Sequence, residues 1–149
     1  MKICVIGTGT MAKGIVKAFA AKMPVVMKSR TDASLEKAMA SISKGYNKLV
    51  EKGKITKDTM DAILANITTT TDYATFADAD IVIEAAVEDM QLKKEVFKEL
   101  DKICKPETIF ATNSSSLSIT EIAACTSRPA PFIGCHFFII SCKTSSCSK

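Results

Sequence analysis

The sequence has 149 residues, enough for one domain with a core large enough to fold alone. Hydrophobic residues make up 47% of it and charged residues 24%, a balance that excludes low-complexity and strongly disordered chains. The net charge of +4 is far from the dense basic patches of nucleic-acid binders, so no nucleic-acid partner is expected, while a local basic site for an anionic ligand is compatible with it.

Met1-Lys2-Ile3-Cys4-Val5-Ile6 runs at once into Gly7-Thr8-Gly9, with no long apolar region before a small-residue cleavage site. The apolar runs are too short to cross a bilayer, so no membrane partner and a cytoplasmic location are expected. Cys4 and Cys104 sit inside apolar patterns and read as reduced core thiols. Cys135, Cys142 and Cys147 crowd the last stretch.

Apolar runs and helical patterns alternate along the chain, the signature of a parallel sheet covered by helices. Ile3–Ile6 reads as a fully buried strand, followed by a helix over Thr10–Ala21 with Met11, Ile15, Ala18 and Phe19 on one face. Val25–Met27 is a second short strand. From Ala33 to Leu64 no strand is expected; Leu35, Met39, Ile42, Tyr46 and Leu49 recur at helical spacing until Lys52-Gly53-Lys54, and a second helix starts near Lys57. This helical hairpin, about residues 33–65, is expected to project from the sheet. Strands at Ile81–Ile83 and Thr108–Ala111 flank a charged amphipathic helix from about Met90 to Cys104. A helix at Ile119–Cys125 and a last strand within Pro131–Phe138 complete the reading, and the order implies an α/β, Rossmann-like doubly wound sheet.

Gly7-Thr8-Gly9-Thr10-Met11-Ala12 is a GxGxxA turn between a strand and a helix. The first glycine permits the tight turn and the second lets backbone approach a pyrophosphate. A small third residue lets helix and strand pack, and the helix N-terminus supplies amide donors. Gly7, Gly9, Thr10 and Met11 are therefore the expected cofactor-binding residues of this turn. At the end of the second strand an NAD site usually places a carboxylate, whereas this chain has Lys28-Ser29-Arg30-Thr31. Ser29 and Arg30 could hold a 2′-phosphate, which favours NADP over NAD. A solvated basic loop explains the same residues, and Asp32 remains as an NAD-type acceptor just past the strand.

These motifs, together with Lys52-Gly53-Lys54-Ile55, Ile83-Glu84-Ala85-Ala86-Val87-Glu88, Ile103–Ile109, Asn113–Thr120 and Gly134–Phe138, resemble the 3-hydroxyacyl-CoA dehydrogenases, bacterial 3-hydroxybutyryl-CoA dehydrogenases above all. The resemblance runs from Met1 to Phe138 and implies a dinucleotide-binding domain over residues 1–138. It implies reversible hydride transfer between a 3-hydroxyacyl-CoA and NAD or NADP, acetoacetyl-CoA being one such substrate, in fatty-acid or butanoate metabolism. His136, the one histidine of the sequence, matches the general base, and Ser115 the serine that hydrogen-bonds the reacting substrate oxygen. Glu88 and Lys93 match residues lining the nicotinamide side of the cleft, and Asn113 matches an active-site asparagine. Lys44, Lys48 and Lys52 recur every four residues as a basic stripe, and the resemblance assigns Lys48 and Lys52 to the CoA portion.

The family pattern continues after His-Phe-Phe with Asn-Pro and later a glutamate that orients the histidine; here Ile139 replaces the asparagine and Ser148 falls where the glutamate belongs. Residues 139–149 therefore read as an aberrant tail, out of frame, with the family's helical C-terminal domain and its homodimer interface missing and turnover weak or lost. Two other readings stay open. One is a non-catalytic nucleotide-binding module; the other is a different hydroxyacid dehydrogenase with a similar glycine-rich opening, against which the Glu84–Glu88 and Asn113–Ser118 blocks argue.

Overall fold

In the computed structural model, which describes residues 1–114, 117–127, 132–135 and 137, six short strands form one parallel sheet. They are β1 (Ile3–Ile6), β2 (Val25–Lys28), β3 (Ile67–Thr70), β4 (Ile81–Glu84), β5 (Ile109–Thr112) and β6 (Phe132–Gly134). The helices are α1 (Thr10–Ala20), α2 (Asp32–Glu51), α3 (Lys57–Ala65), α4 (Met90–Ile103) and α5 (Ile119–Ala123), with a 3-10 turn at Tyr73–Phe76. The spatial order β3-β2-β1-β4-β5-β6 reverses direction between β1 and β4, so the carboxyl ends of these two central strands open a crevice at the switch point.

Continuous apolar strands suit a sheet covered on both faces, and side-chain alternation divides β1 between two cores. Ile3 and Val5 face Ala12, Ile15, Val16 and Ala20 of α1 together with Leu35, Ile42 and Met60 of the helical hairpin. Cys4 and Ile6 face the other side, with Phe97 and Leu100 of α4, Ile122 of α5 and Phe76. Phe132 anchors the short β6 there, its ring 4.6 Å from that of Phe97 and 6.3 Å from that of Phe110.

Three expectations are corrected. The hairpin does not stand clear of the sheet: Leu35, Ala38, Ile42, Tyr46 and Met60 bury their side chains in the α1 core, and the Tyr46 hydroxyl lies 3.4 Å from the Lys17 carbonyl oxygen. On α1 the buried stripe runs through Ala12, Ile15, Val16 and Ala20, while Ala18 is exposed, because the helix docks on both β1 and the hairpin. The strand β3 was not expected at all. Its Thr68 and Thr69 are exposed on an outer strand, so the Ile-Thr-Thr-Thr run carries no apolar alternation, and pairing with β2 supplies its order.

The hairpin consists of α2 and α3, joined through residues 52–56. Gly53 takes a left-handed conformation (φ 65°) after α2, and its amide donates to the Val50 carbonyl at 2.9 Å. Cys4 and Cys104 are both buried in the core on the α4 side of the sheet. Among the described residues no helix is long and apolar enough to cross a membrane.

Candidate functional site

The turn after β1 opens on the switch-point crevice. Gly7 has φ 122°, and a Cβ there would sit 2.5 Å from the Ala85 carbonyl oxygen, so both its backbone and the close approach of β4 require glycine. Its amide donates to the Lys28 carbonyl at 2.9 Å, which ties the turn to the end of β2. Gly9 is the N-cap of α1, with open space where a side chain would be. Thr31, Thr56, Asp89 and Ser118 each cap their helices through side-chain oxygens, but no side chain caps α1 and no carboxylate occupies its first turn. The first amides of α1, from exposed Thr10 and half-buried Met11 onward, thus keep their donors and the helix its positive end for an anion. Ala12, at the third position of the motif, is fully buried, which allows the close helix–strand contact.

A cleft of about 470 Å³ continues from Gly7, Thr8 and Gly9. One wall is Lys28, Ser29, Arg30 and Tyr73; the other is Ala85, Ala86 and Val87, with Leu92, Glu95, Val96 and Glu99 of α4 below. The Ser29 amide donates to the Thr70 carbonyl at 3.2 Å, so β3 holds the basic end of the cleft in place. Lys28 is only 4% exposed, with Nζ 3.5 Å from the centroid of the Tyr73 ring. Burial lowers the Lys28 pKa, with the Glu99 and Asp72 carboxylates acting in the opposite sense. Burial, aided by Glu99 and Glu84, pushes the Tyr73 phenol up to about 12. An apolar slot with Lys28 and Arg30 at one end, beside an uncapped helix end, suits a planar base joined to a pyrophosphate, so the residues present fit a dinucleotide.

Beside the cleft lies a buried charged network. Glu84 closes β4 at 0% exposure and accepts from Lys93 Nζ at 2.8 and 2.7 Å, from the Ala86 amide at 2.7 Å and from the Thr112 hydroxyl at 2.7 Å. Lys93 also lies 3.5 Å from Glu88, and Glu88 in turn accepts from the Ser114 hydroxyl. The Asn113 amide donates to the Glu84 carbonyl at 2.8 Å, and the Asn113 side-chain oxygen accepts from the Phe137 amide at 3.0 Å. One network thus ties the carboxyl ends of β4 and β5 to the start of α4.

The family model for the 3-hydroxyacyl-CoA dehydrogenase NAD binding domain matches residues 2–140. The chain belongs to the 3-hydroxyacyl-CoA dehydrogenase family. The chain is 53% identical to 3-hydroxybutyryl-CoA dehydrogenase of Clostridioides difficile over 139 residues, covering 93% of this chain and 50% of the relative. It is 42% identical to the fatty acid oxidation complex subunit alpha of Shewanella amazonensis, covering 92% of this chain and 20% of that one. The crystal structure of (S)-3-hydroxybutyryl-CoA dehydrogenase from Ralstonia eutropha superposes with a TM-score of 0.89 at 40% identity, over 92% of this chain and 49% of that one. The chain spans about half the length of the 3-hydroxybutyryl-CoA dehydrogenases it matches.

As a 3-hydroxyacyl-CoA dehydrogenase NAD binding domain, the structure gathers Gly7, Gly9, Ser29 and Arg30 on one cleft, with Arg30 exposed. Glu88, Lys93 and Asn113 join the neighbouring network instead. Lys93 is no solvated surface lysine, being 2% exposed with its donors directed at carboxylates. Lys44 and Lys48 line a separate groove on α2, and exposed Lys52 is the C-cap of that helix. Ser115 and His136 lie outside the described residues, as does the stretch 138–149. Sequence reasoning missed Glu84, Thr112 and Ser114 as a unit. The available signal was a carboxylate at the end of an apolar strand, where burial demands a cationic partner.

Proposed function

We propose that this chain supplies the NAD(P)-binding half of a 3-hydroxybutyryl-CoA dehydrogenase, and that the whole protein interconverts 3-hydroxyacyl-CoA and 3-oxoacyl-CoA in fatty-acid or butanoate metabolism. The observation that carries the reading is the tight Gly7–Gly9 turn beneath an uncapped helix end, opening on the same cleft as Ser29 and Arg30. When bound, the nicotinamide supplies hydride transfer. The α1 amides bind pyrophosphate, and the Ala86–Val87 wall excludes water from the base. Ser29 and Arg30 favour the 2′-phosphate of NADP over the bare ribose of NAD. His136 takes the substrate hydroxyl proton and Ser115 orients that oxygen, roles inherited from the family motifs. Glu88, Lys93 and Asn113 shape the nicotinamide end, and Lys48 and Lys52 meet the phosphates of CoA.

The test is titration of the purified 149-residue chain with NADH and NADPH by nicotinamide fluorescence, followed by assay with acetoacetyl-CoA. Saturable binding of a dinucleotide, tighter for NADPH and weakened by Arg30→Ala, is the expected result. No binding of either dinucleotide overturns the reading. Tighter NADH binding that Arg30→Ala leaves unchanged removes the NADP preference.

A further inference from the structure

Two lysines are buried at the carboxyl edge of this sheet, and their surroundings differ. Lys93 is matched by carboxylates. Lys28, at 4% exposure, makes no salt bridge among the described residues and rests instead on the face of Tyr73. A desolvated ammonium without an ion pair is costly to maintain, and an aromatic face offsets only part of that cost. Such a cation is arranged for a charge that arrives from outside. Lys28 lines the dinucleotide cleft together with Gly7, Ser29 and Arg30, and its carbonyl holds the Gly7 amide. Its position is therefore fixed relative to the phosphate-binding turn.

We propose that Lys28, shelved on Tyr73, is a specificity-determining residue that makes this cleft select a 2′-phosphorylated dinucleotide. The inference rests on the reading of the cleft as a dinucleotide site. Arg30 is exposed, so water screens its charge; Lys28 is pre-positioned in a drier setting, where each charge counts for more. The groups facing it are Glu95 and Glu99 of α4, Asp72 and Tyr73 of the turn after β3, and Arg30 on its own strand end. The carboxylates among them keep the cleft from being strongly basic, and a 2′-phosphate shifts the balance toward Lys28.

The experiment measures dissociation constants of the whole chain for NADPH, NADH, adenosine 2′,5′-bisphosphate and 5′-AMP, with far-UV circular dichroism to confirm folding. Lys28→Met should weaken NADPH and the bisphosphate about tenfold while NADH and 5′-AMP change less than about twofold, and Lys28→Arg should restore most of the difference. Should Lys28→Met not fold, the unaltered chain still decides. Burial makes Lys28 lose its proton below the ordinary lysine value, while the Tyr73 phenol is pushed up to about 12. The preference for NADPH over NADH should therefore fall as the pH rises toward the ordinary lysine value of 10.5. A wild-type NADPH preference that is independent of pH, or that Lys28→Met leaves intact, overturns the role of Lys28 while the dinucleotide site stands. A chain that binds neither dinucleotide overturns the site itself, and one that prefers NADH overturns the selectivity.

Discussion

Replacing Lys93 by methionine keeps the length and apolar stem of the side chain but removes its ammonium from between Glu84 and Glu88. Glu84, at 0% exposure, would keep the Ala86 amide and the Thr112 hydroxyl but lose two charge-assisted bonds of 2.8 and 2.7 Å. Removing one partner of a buried ion pair costs about 3–5 kcal/mol because the other charge is left uncompensated. Against a total stability of about 5–15 kcal/mol, that is about a fifth or more of the fold. Glu84→Gln should cost less, since Lys93 retains Glu88 at 3.5 Å. The double change Glu84→Gln with Lys93→Met removes both charges and should recover about 1–3 kcal/mol relative to the sum of the single losses. Urea unfolding followed by circular dichroism measures all three, with a constant m-value confirming that the folded states are comparable. A cost below about 1 kcal/mol for Lys93→Met, or strict additivity in the double variant, would refute the claim that this network holds β4, β5 and α4 together.

Other consequences are open to measurement. Gly7→Ala should cost at least about 2 kcal/mol, combining the positive-φ penalty with a methyl 2.5 Å from the Ala85 carbonyl oxygen. Gly9→Ala, in open space with ordinary backbone angles, should leave urea stability nearly unchanged while weakening NADH binding. Burial raises the Cys4 thiol from 9.0 to about 12 and keeps it protonated in the fold. The unfolded thiol ionises above its ordinary value, so stability should fall by up to about 1.4 kcal/mol per pH unit between pH 9 and 12, and Cys4→Val should flatten that slope in alkaline unfolding scans. Phe97→Ala should cost about 3–5 kcal/mol, because its fully buried ring contacts both Phe110 and Phe132; a loss below 1 kcal/mol would show that the aromatic cluster is not what anchors β6.

Much of this protein was determined by local chemistry alone. The buried run Ile3–Ile6, the glycine turn after it, the helical spacing of Leu35, Ile42 and Tyr46, and the stop at Gly53 each follow from nearest-neighbour physics: side-chain period, backbone freedom and capping. The Rossmann-type architecture and the tight glycine turn were legible for that reason. Strand β3 was not, since Thr68 and Thr69 carry no apolar pattern and gain their order only from β2. The tertiary structure alone decided which charges meet. Lys93 and Glu84 are nine residues apart on different elements, and Thr112 is a further strand away. Lys28, read as part of a basic segment, and Tyr73, which no motif singled out, become one wall of a cleft when β2 and the 3-10 turn pack together. Electrostatic partners are chosen by distance in space and by exclusion of water, and neither quantity exists along a one-dimensional chain.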